Sequence, residues 1–233
     1  MNTFHTSTFY SKHYITTDEQ GRITAGWSDG PQRDRDTTGA VCINEQGGYQ
    51  FRLFPGGEEN PPLRTADGIP LWRWDGERVV PRAGEEIAAD RLPGLKPAKL
   101  SELSAACNAA ITAGCGVTLS DGSTGHISLT AEDQINLTNA RAVVEGGAAG
   151  YPYHLDGELC ALYPAADIAA MGRAATAHKL YHTTYYNHLA AWVWRCGTAD
   201  EVSAITYGAE LPEDLAENMA AILAAAGGGT DGV

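Results

Sequence analysis

The sequence predicts an α+β fold: a small β-rich N-terminal domain built of hairpins, then a mainly helical α+β C-terminal domain with two hairpins and one long central helix. Three observations predict it. Between His13 and Pro81, β-branched and aromatic runs flank three turn sequences, Asp18-Glu19-Gln20-Gly21, Gln46-Gly47-Gly48 and Asp75-Gly76. From Ala165 to Cys196, the residues Ile168, Met171, Ala175, His178, His182, Tyr185, Leu189, Trp192 and Cys196 recur at alternating steps of three and four, the spacing of one stripe along an α-helix. Two further Asp-Gly pairs, Asp121-Gly122 and Asp156-Gly157, lie between short β-prone runs in the second half.

Taken in order, HYITTDEQGRITAGW, AVCINEQGGYQFRLF and IPLWRWDGERVVP each read as a hairpin. The segments between them, GWSDGPQRDRDTTGA and PGGEENPPLRTADG, are rich in Gly, Pro and charge and read as loops; Arg33-Asp34-Arg35-Asp36 in the first is a solvated run, with a contact loop as the alternative. In LWRW one residue separates Trp72 from Trp74, so both share a strand face, as a core or cross-strand aromatic pair or else as a sugar-binding aromatic platform, which would need neighbouring carboxylates. Residues 1–82 therefore form the β-rich domain.

AGEEIAADRLPGLKPAK starts as a helix and then meets Pro93-Gly94 and Pro97, which break a helix interior, so residues 83–99 are expected to be a short helix and a Pro-rich linker. The second domain spans residues 100–226. It opens with LSELSAACNAAITAG, whose Leu100, Leu103, Cys107, Ala110 and Ile111 make an amphipathic face ending at Gly114. A hairpin around Asp121-Gly122 follows, then a helix whose start carries Thr130 and Asp133 at capping-box spacing. The Asp156-Gly157 hairpin leads to Pro164, placed to open the long helix, which would reach roughly 45–50 Å. A helix of that length needs a sizeable body along it or another subunit, so burial in its own domain and an oligomer axis are the two readings. Thr198 and Glu201 cap a short helix, Pro212 opens a last one, and residues 227–233 read as a mobile tail.

Composition narrows the functional classes. Among 233 residues, 16 Lys and Arg stand against 29 Asp and Glu, a formal charge of −13 that works against general affinity for nucleic acid or an anionic membrane. No apolar run approaches the roughly 18 residues of a membrane span, and MNTFHTSTFYSKHY lacks the apolar core of a signal peptide, so synthesis in the cytoplasm is expected, without membrane insertion. Cys42, Cys107, Cys115, Cys160 and Cys196 are odd in number and without ligand spacing, which points to reduced, mostly buried thiols.

His178 and His182 stand one helical turn apart and, with His188 or a cysteine, would supply zinc ligands; a hydrogen-bonded core or interface pair is the competing reading, favoured by the aromatics around them and by the lack of HExxH or paired CxxC. GxGxxG after a strand, GxxxxGK[ST] and GxSxG do not occur either. Cys160 with His154 or His178 would make a nucleophile and base only if the fold joined them, and the acid pairs Glu58-Glu59 and Glu85-Glu86 read as solvated. No catalytic residue, metal or other cofactor is assigned, and the chain is read as a non-enzyme.

Two stretches carry resemblances. The front half, through YITTDEQGRITAGWSDGP, GAVCINEQGGYQFRLFPGGEENPPL and GIPLWRWDGERVVPR, resembles XkdW-like proteins of prophage tail modules. The back half, through KLSELSAACNAAITAG, GHISLTAEDQINLT, AHKLYHTTYYNHLAAWV and EVSAITYGAELP, resembles a phage tail domain of unknown function. The resemblance implies a structural or attachment role in a baseplate or tail fibre, with other tail proteins as partners, a homo-oligomer such as a trimer, and a place in the virion tail after synthesis in the bacterial host. A fibre-assembly chaperone absent from the finished particle is the alternative, and a glycan-active enzyme a third. The candidate partner or interface residues are Tyr185, His188, Trp192, Asp133, Gln134, Asn136, Trp72 and Trp74.

Overall fold

The computed structural model describes residues 12–28, 36–45 and 61–227. Helices and short hairpins share the chain as an α+β fold, with the strands concentrated in its first third and the helices after it. Two units are distinguished, Met1–Pro93 and Gly94–Val233.

In the first unit, β1 (His13–Thr17) pairs antiparallel with β2 (Ile23–Ser28) across the turn at Asp18, and β3 (Val41–Asn44) adds to the other edge of β1, giving the order β2-β1-β3. Asp18 organises that turn because its carboxylate accepts from the backbone N–H of both Gln20 and Arg22. β4 (Trp72–Trp74) and β5 (Val79–Pro81) form the Asp75-Gly76 hairpin, with Trp72 opposite Pro81 and Trp74 opposite Val79. Ile15 and Ile23 are fully buried, and Val41, Ile43, Leu63, Trp72, Trp74 and Val79 pack on them. The turn predicted at Gln46-Gly47-Gly48, the charges Arg33 to Arg35, the acid pair Glu58-Glu59 and nearly all of the C-terminal tail lie outside the described residues.

One expectation is overturned at the joint. A single helix, α1 (Gly84–Ala113), runs without interruption through Pro93, Gly94 and Pro97, where a break and linker were predicted. Each proline withholds one backbone N–H, which leaves the carbonyls of Ala89 and Pro93 without an intrahelical partner. Both of those residues are exposed, so water can serve the carbonyls. The penalty is local, whereas the helix is held on either side: Asp90 accepts from Arg22 (2.9 Å) and pairs with the buried Arg82 (2.7 Å), while Leu103, Cys107 and Ile111 are buried further along. Tertiary contacts override the propensity.

In the second unit α1 stops at Gly114, whose φ of +85° suits glycine, and whose missing Cβ leaves room for the carbonyl oxygen of Ile127. The chain then forms β6 (Cys115–Thr118) and β7 (Thr124–Ile127), the helix α2 (Ala131–Glu145), and β8 (Gly150–Tyr153) with β9 (Ala161–Pro164). The long helix α3 (Ala165–Arg195) is followed by α4 (Ala199–Ala204) and α5 (Glu213–Ala225). Both predicted capping boxes are present, Thr130 with Asp133 at α2 and Thr198 with Glu201 at α4.

The first half of α3 buries Ile168 and Met171 against α2 and both hairpins, in a core with Val117, Ile127, Leu129, Leu137, Ala140, Tyr153, Leu155 and Tyr163. The hairpins are tied together by Asp156. Its carboxylate accepts from the Ser128 N–H (3.1 Å) and hydroxyl (2.7 Å) and lies 2.8 Å from His126 Nδ1. Asp167, buried in the first turn of α3, accepts from the Ser120 N–H at 2.7 Å. No helix among the described residues is long and apolar enough to cross a membrane.

Candidate functional site

The second half of α3 carries a polar seam whose groups bond inward. His178 Nε2 donates to the carbonyl oxygen of Ala110 on α1 at 3.0 Å, the only sense possible with a carbonyl acceptor, and His182 Nδ1 lies 2.8 Å from the Tyr207 hydroxyl. The two rings meet edge to face with centroids 4.4 Å apart. Their nitrogens therefore engage separate elements, and among the described residues no group of three or more His, Cys, Asp or Glu is placed to hold a metal ion. Burial, and then the neighbouring His178, lower the pKa of His182 below its ordinary value. Burial, followed by the nearby Cys107, pushes the Tyr207 phenol up.

Tyr185 is buried; its hydroxyl donates to the Ala209 carbonyl (2.5 Å) and accepts from the Gly208 N–H (3.1 Å). His188 is also buried. It donates from Nδ1 to the Thr184 carbonyl at 2.7 Å, and its Nε2 lies 2.9 Å from the side-chain amide of Asn218 on α5. Trp192 is half-buried, and its carbonyl accepts from the Cys196 thiol. These side chains join α3 to other parts of its own unit. The seam also departs from the strict three-four stripe, because His188 and Val193 are buried beside it while His178, His182 and Trp192 are only half-buried.

The remaining candidates scatter. Trp72 and Trp74 pack in the first unit's core, and Trp72 donates from its indole to the Pro62 carbonyl. Asp133 caps α2 by accepting from the Thr130 N–H and hydroxyl, and Asn136 is exposed on the same helix. Gln134 does more than its neighbours: its amide donates to the Leu129 carbonyl at 2.9 Å and accepts from Lys179 Nζ at 2.7 Å, on the wall of a groove between α2 and α3. Cys160 is exposed, and no hydrogen bond joins it to His154 or His178 among the described residues.

Sequence reasoning missed one surface. In the β8–β9 hairpin Tyr153, Leu155 and Tyr163 are buried, whereas Leu159 is 91% and Leu162 74% exposed, with Cys160 and Ala161 exposed between them. Leu162 stands opposite the exposed Pro152. For Leu162 the period-two alternation around Tyr163 was the available signal, since a strand that turns Tyr163 inward must turn Leu162 out; Leu159 precedes β9 and carries no such signal.

Residues 94–209 match the family described as Domain of unknown function (DUF4376). The DUF4376 match begins at Gly94, where the second unit begins, and ends at Ala209, whose carbonyl receives the Tyr185 hydroxyl. It thus takes in both hairpins of that unit and α2, α3 and α4, and leaves α5 outside. Neither a curated protein nor a solved structure matches the chain.

Proposed function

We propose that this chain is a non-enzymatic phage tail-associated protein, a structural or attachment component of a baseplate or tail fibre, and that the DUF4376-matching unit contacts its partner through the β8–β9 hairpin. The observation that carries the contact is the exposed run Leu159 to Leu162, with Leu162 on β9 and Leu159 in the connection that leads into it. Single exposed aliphatics are ordinary, but two large ones within four residues of one another are what a protein interface uses. The tail assignment is supported by the resemblance of both halves to phage tail-module sequences. The inward bonding of the α3 seam supports a binding role over catalysis, because His178, His182, Tyr185 and His188 are engaged in joining α3 to α1, to the segment after α4 and to α5.

Quantitative mass spectrometry on purified particles of the parent phage tests the reading. A fixed copy number relative to a tail protein of known stoichiometry, at roughly a multiple of three or six, is expected of a component that follows tail symmetry. Absence from particles with abundance in the lysate would overturn it in favour of an assembly chaperone. The hairpin is tested by Leu159→Ser with Leu162→Ser. Exposed replacements should change stability by no more than about 0.5 kcal/mol, while the protein is lost from particles. Unchanged incorporation of that variant would place the contact elsewhere.

A further inference from the structure

The groove between α2 and α3 has a volume of about 410 Å³ and is lined by both apolar and polar or cationic side chains. Leu129, Leu137, Ala175 and Leu180 supply the apolar lining; Arg141, Lys179 and Gln134 supply the charge and hydrogen-bonding capacity. Its size falls in the range of roughly 300–1,000 Å³ usual for small-molecule sites.

Two details show how its cations are placed. Lys179 is set by Gln134, which is itself anchored to the Leu129 carbonyl, so the ammonium is held at the wall with donors to spare. Arg141 lies across Gly172, buried in the interior of α3, and a Cβ at that position would collide with Arg141 Cδ and approach Nε to 2.8 Å. A glycine inside a helix costs about 1 kcal/mol against alanine, so helix formation alone gives no reason for it. The space it leaves is the space the arginine stem occupies. The guanidinium has Glu145 at 3.1 Å, a pair exposed on both sides and therefore weak, which an incoming anion can displace. In a chain of net charge −13, two cations converge on one apolar cleft.

We propose that this groove binds a small organic anion, a carboxylate or phosphate head on an apolar body, with Arg141 and Lys179 holding the head and the half-buried Ala175 and Leu180 covering the body. Arginine offers paired N–H donors to either head group, and lysine adds a point charge. This inference stands independently of the tail assignment, since it rests on the groove alone.

Nuclear magnetic resonance titration of the full chain tests it, with hexanoate and hexyl phosphate as anionic probes, 1-hexanol as the neutral probe and inorganic phosphate as the head alone. Saturable shifts at residues 134–141 and 172–183 with one or both anionic probes, at Kd about 1–10 mM, are expected for ligands of this size. Which probe binds more tightly identifies the head group. Hexanol and inorganic phosphate should each bind about tenfold more weakly. Lys179→Gln and Arg141→Gln should each weaken the anion about five- to tenfold. Gly172→Ala should weaken it likewise by displacing Arg141. If Arg141→Gln disturbs folding, the exposed Lys179→Gln decides the matter alone. Hexanol binding as tightly as the anions, phosphate binding as tightly as hexyl phosphate, anion affinity indifferent to Lys179→Gln, or no saturable shift at about 50 mM probe would each overturn the proposal.

Discussion

Tyr185 shows how one side chain serves as core and as latch. Its ring packs against Tyr181 and Tyr207, and its hydroxyl closes on Gly208 and Ala209 in the segment after α4. Replacement by Phe keeps the packing and strands two backbone groups, so it should cost about 1–2 kcal/mol, whereas Ala should cost about 3–5 kcal/mol. Denaturant titration measures both, and a harmless Tyr185→Ala would return the ring to the interface role suggested by sequence. Gly114 is the second decisive residue. Alanine there must adopt a left-handed backbone and meet the Ile127 carbonyl, so Gly114→Ala should cost about 2–4 kcal/mol. Gly122 also has positive φ but open space around it, so Gly122→Ala should cost about 1 kcal/mol, and equal losses at the two sites would refute the steric argument.

At the scale of elements, the two hairpins of the second unit are joined by a turn residue. Asp121 bonds Ser123 within its own turn, as turn aspartates commonly do, whereas Asp156 reaches across to His126 and Ser128 on the other hairpin. Burial opposes its ionisation, but the Ser128 and His126 contacts outweigh that and hold the carboxyl below its ordinary value. Asp156→Ala should therefore cost about 1–2 kcal/mol, more than Asp121→Ala, in urea melts of the two variants. The same distinction bounds what sequence could show. Both Asp-Gly turns were legible because turn chemistry is local, but nothing local separates the aspartate that serves its own turn from the one that bridges two hairpins. The two capping boxes were legible for the same reason, and the unbroken α1 was not, because the contacts that hold it at Asp90 come from Arg22 and Arg82 outside the helix.

For the whole molecule, the buried seam predicts a pH response. His182 has its pKa lowered in the folded protein, so between that value and the ordinary 6.5 the unfolded chain binds a proton that the folded chain does not. Stability from this group is complete above about pH 6.5 and declines as pH falls through the window below it. His13 in the first unit is lowered by burial and acts in the same direction. The midpoint of urea unfolding should drop between pH 7 and pH 5, and His182→Gln, which does not titrate, should flatten part of that slope; an identical slope in the variant would exclude His182 as a contributor.

The sequence by itself determined the fold class, the hairpins whose turns are described, the capping boxes and the extent of the long helix, all of which follow from periodicity or from contacts within a few residues. Tertiary structure decided the rest. It carried α1 through two prolines, joined His178 to α1 and His182 and Tyr185 to the segment after α4, and set Lys179 and Arg141 on one groove although 38 positions separate them in the chain. It also left Leu159 and Leu162 facing outward. The physical reason is common to these cases: helix and turn signals are written in neighbouring residues, whereas what a side chain bonds, and whether it is covered, depends on which distant element packs against it.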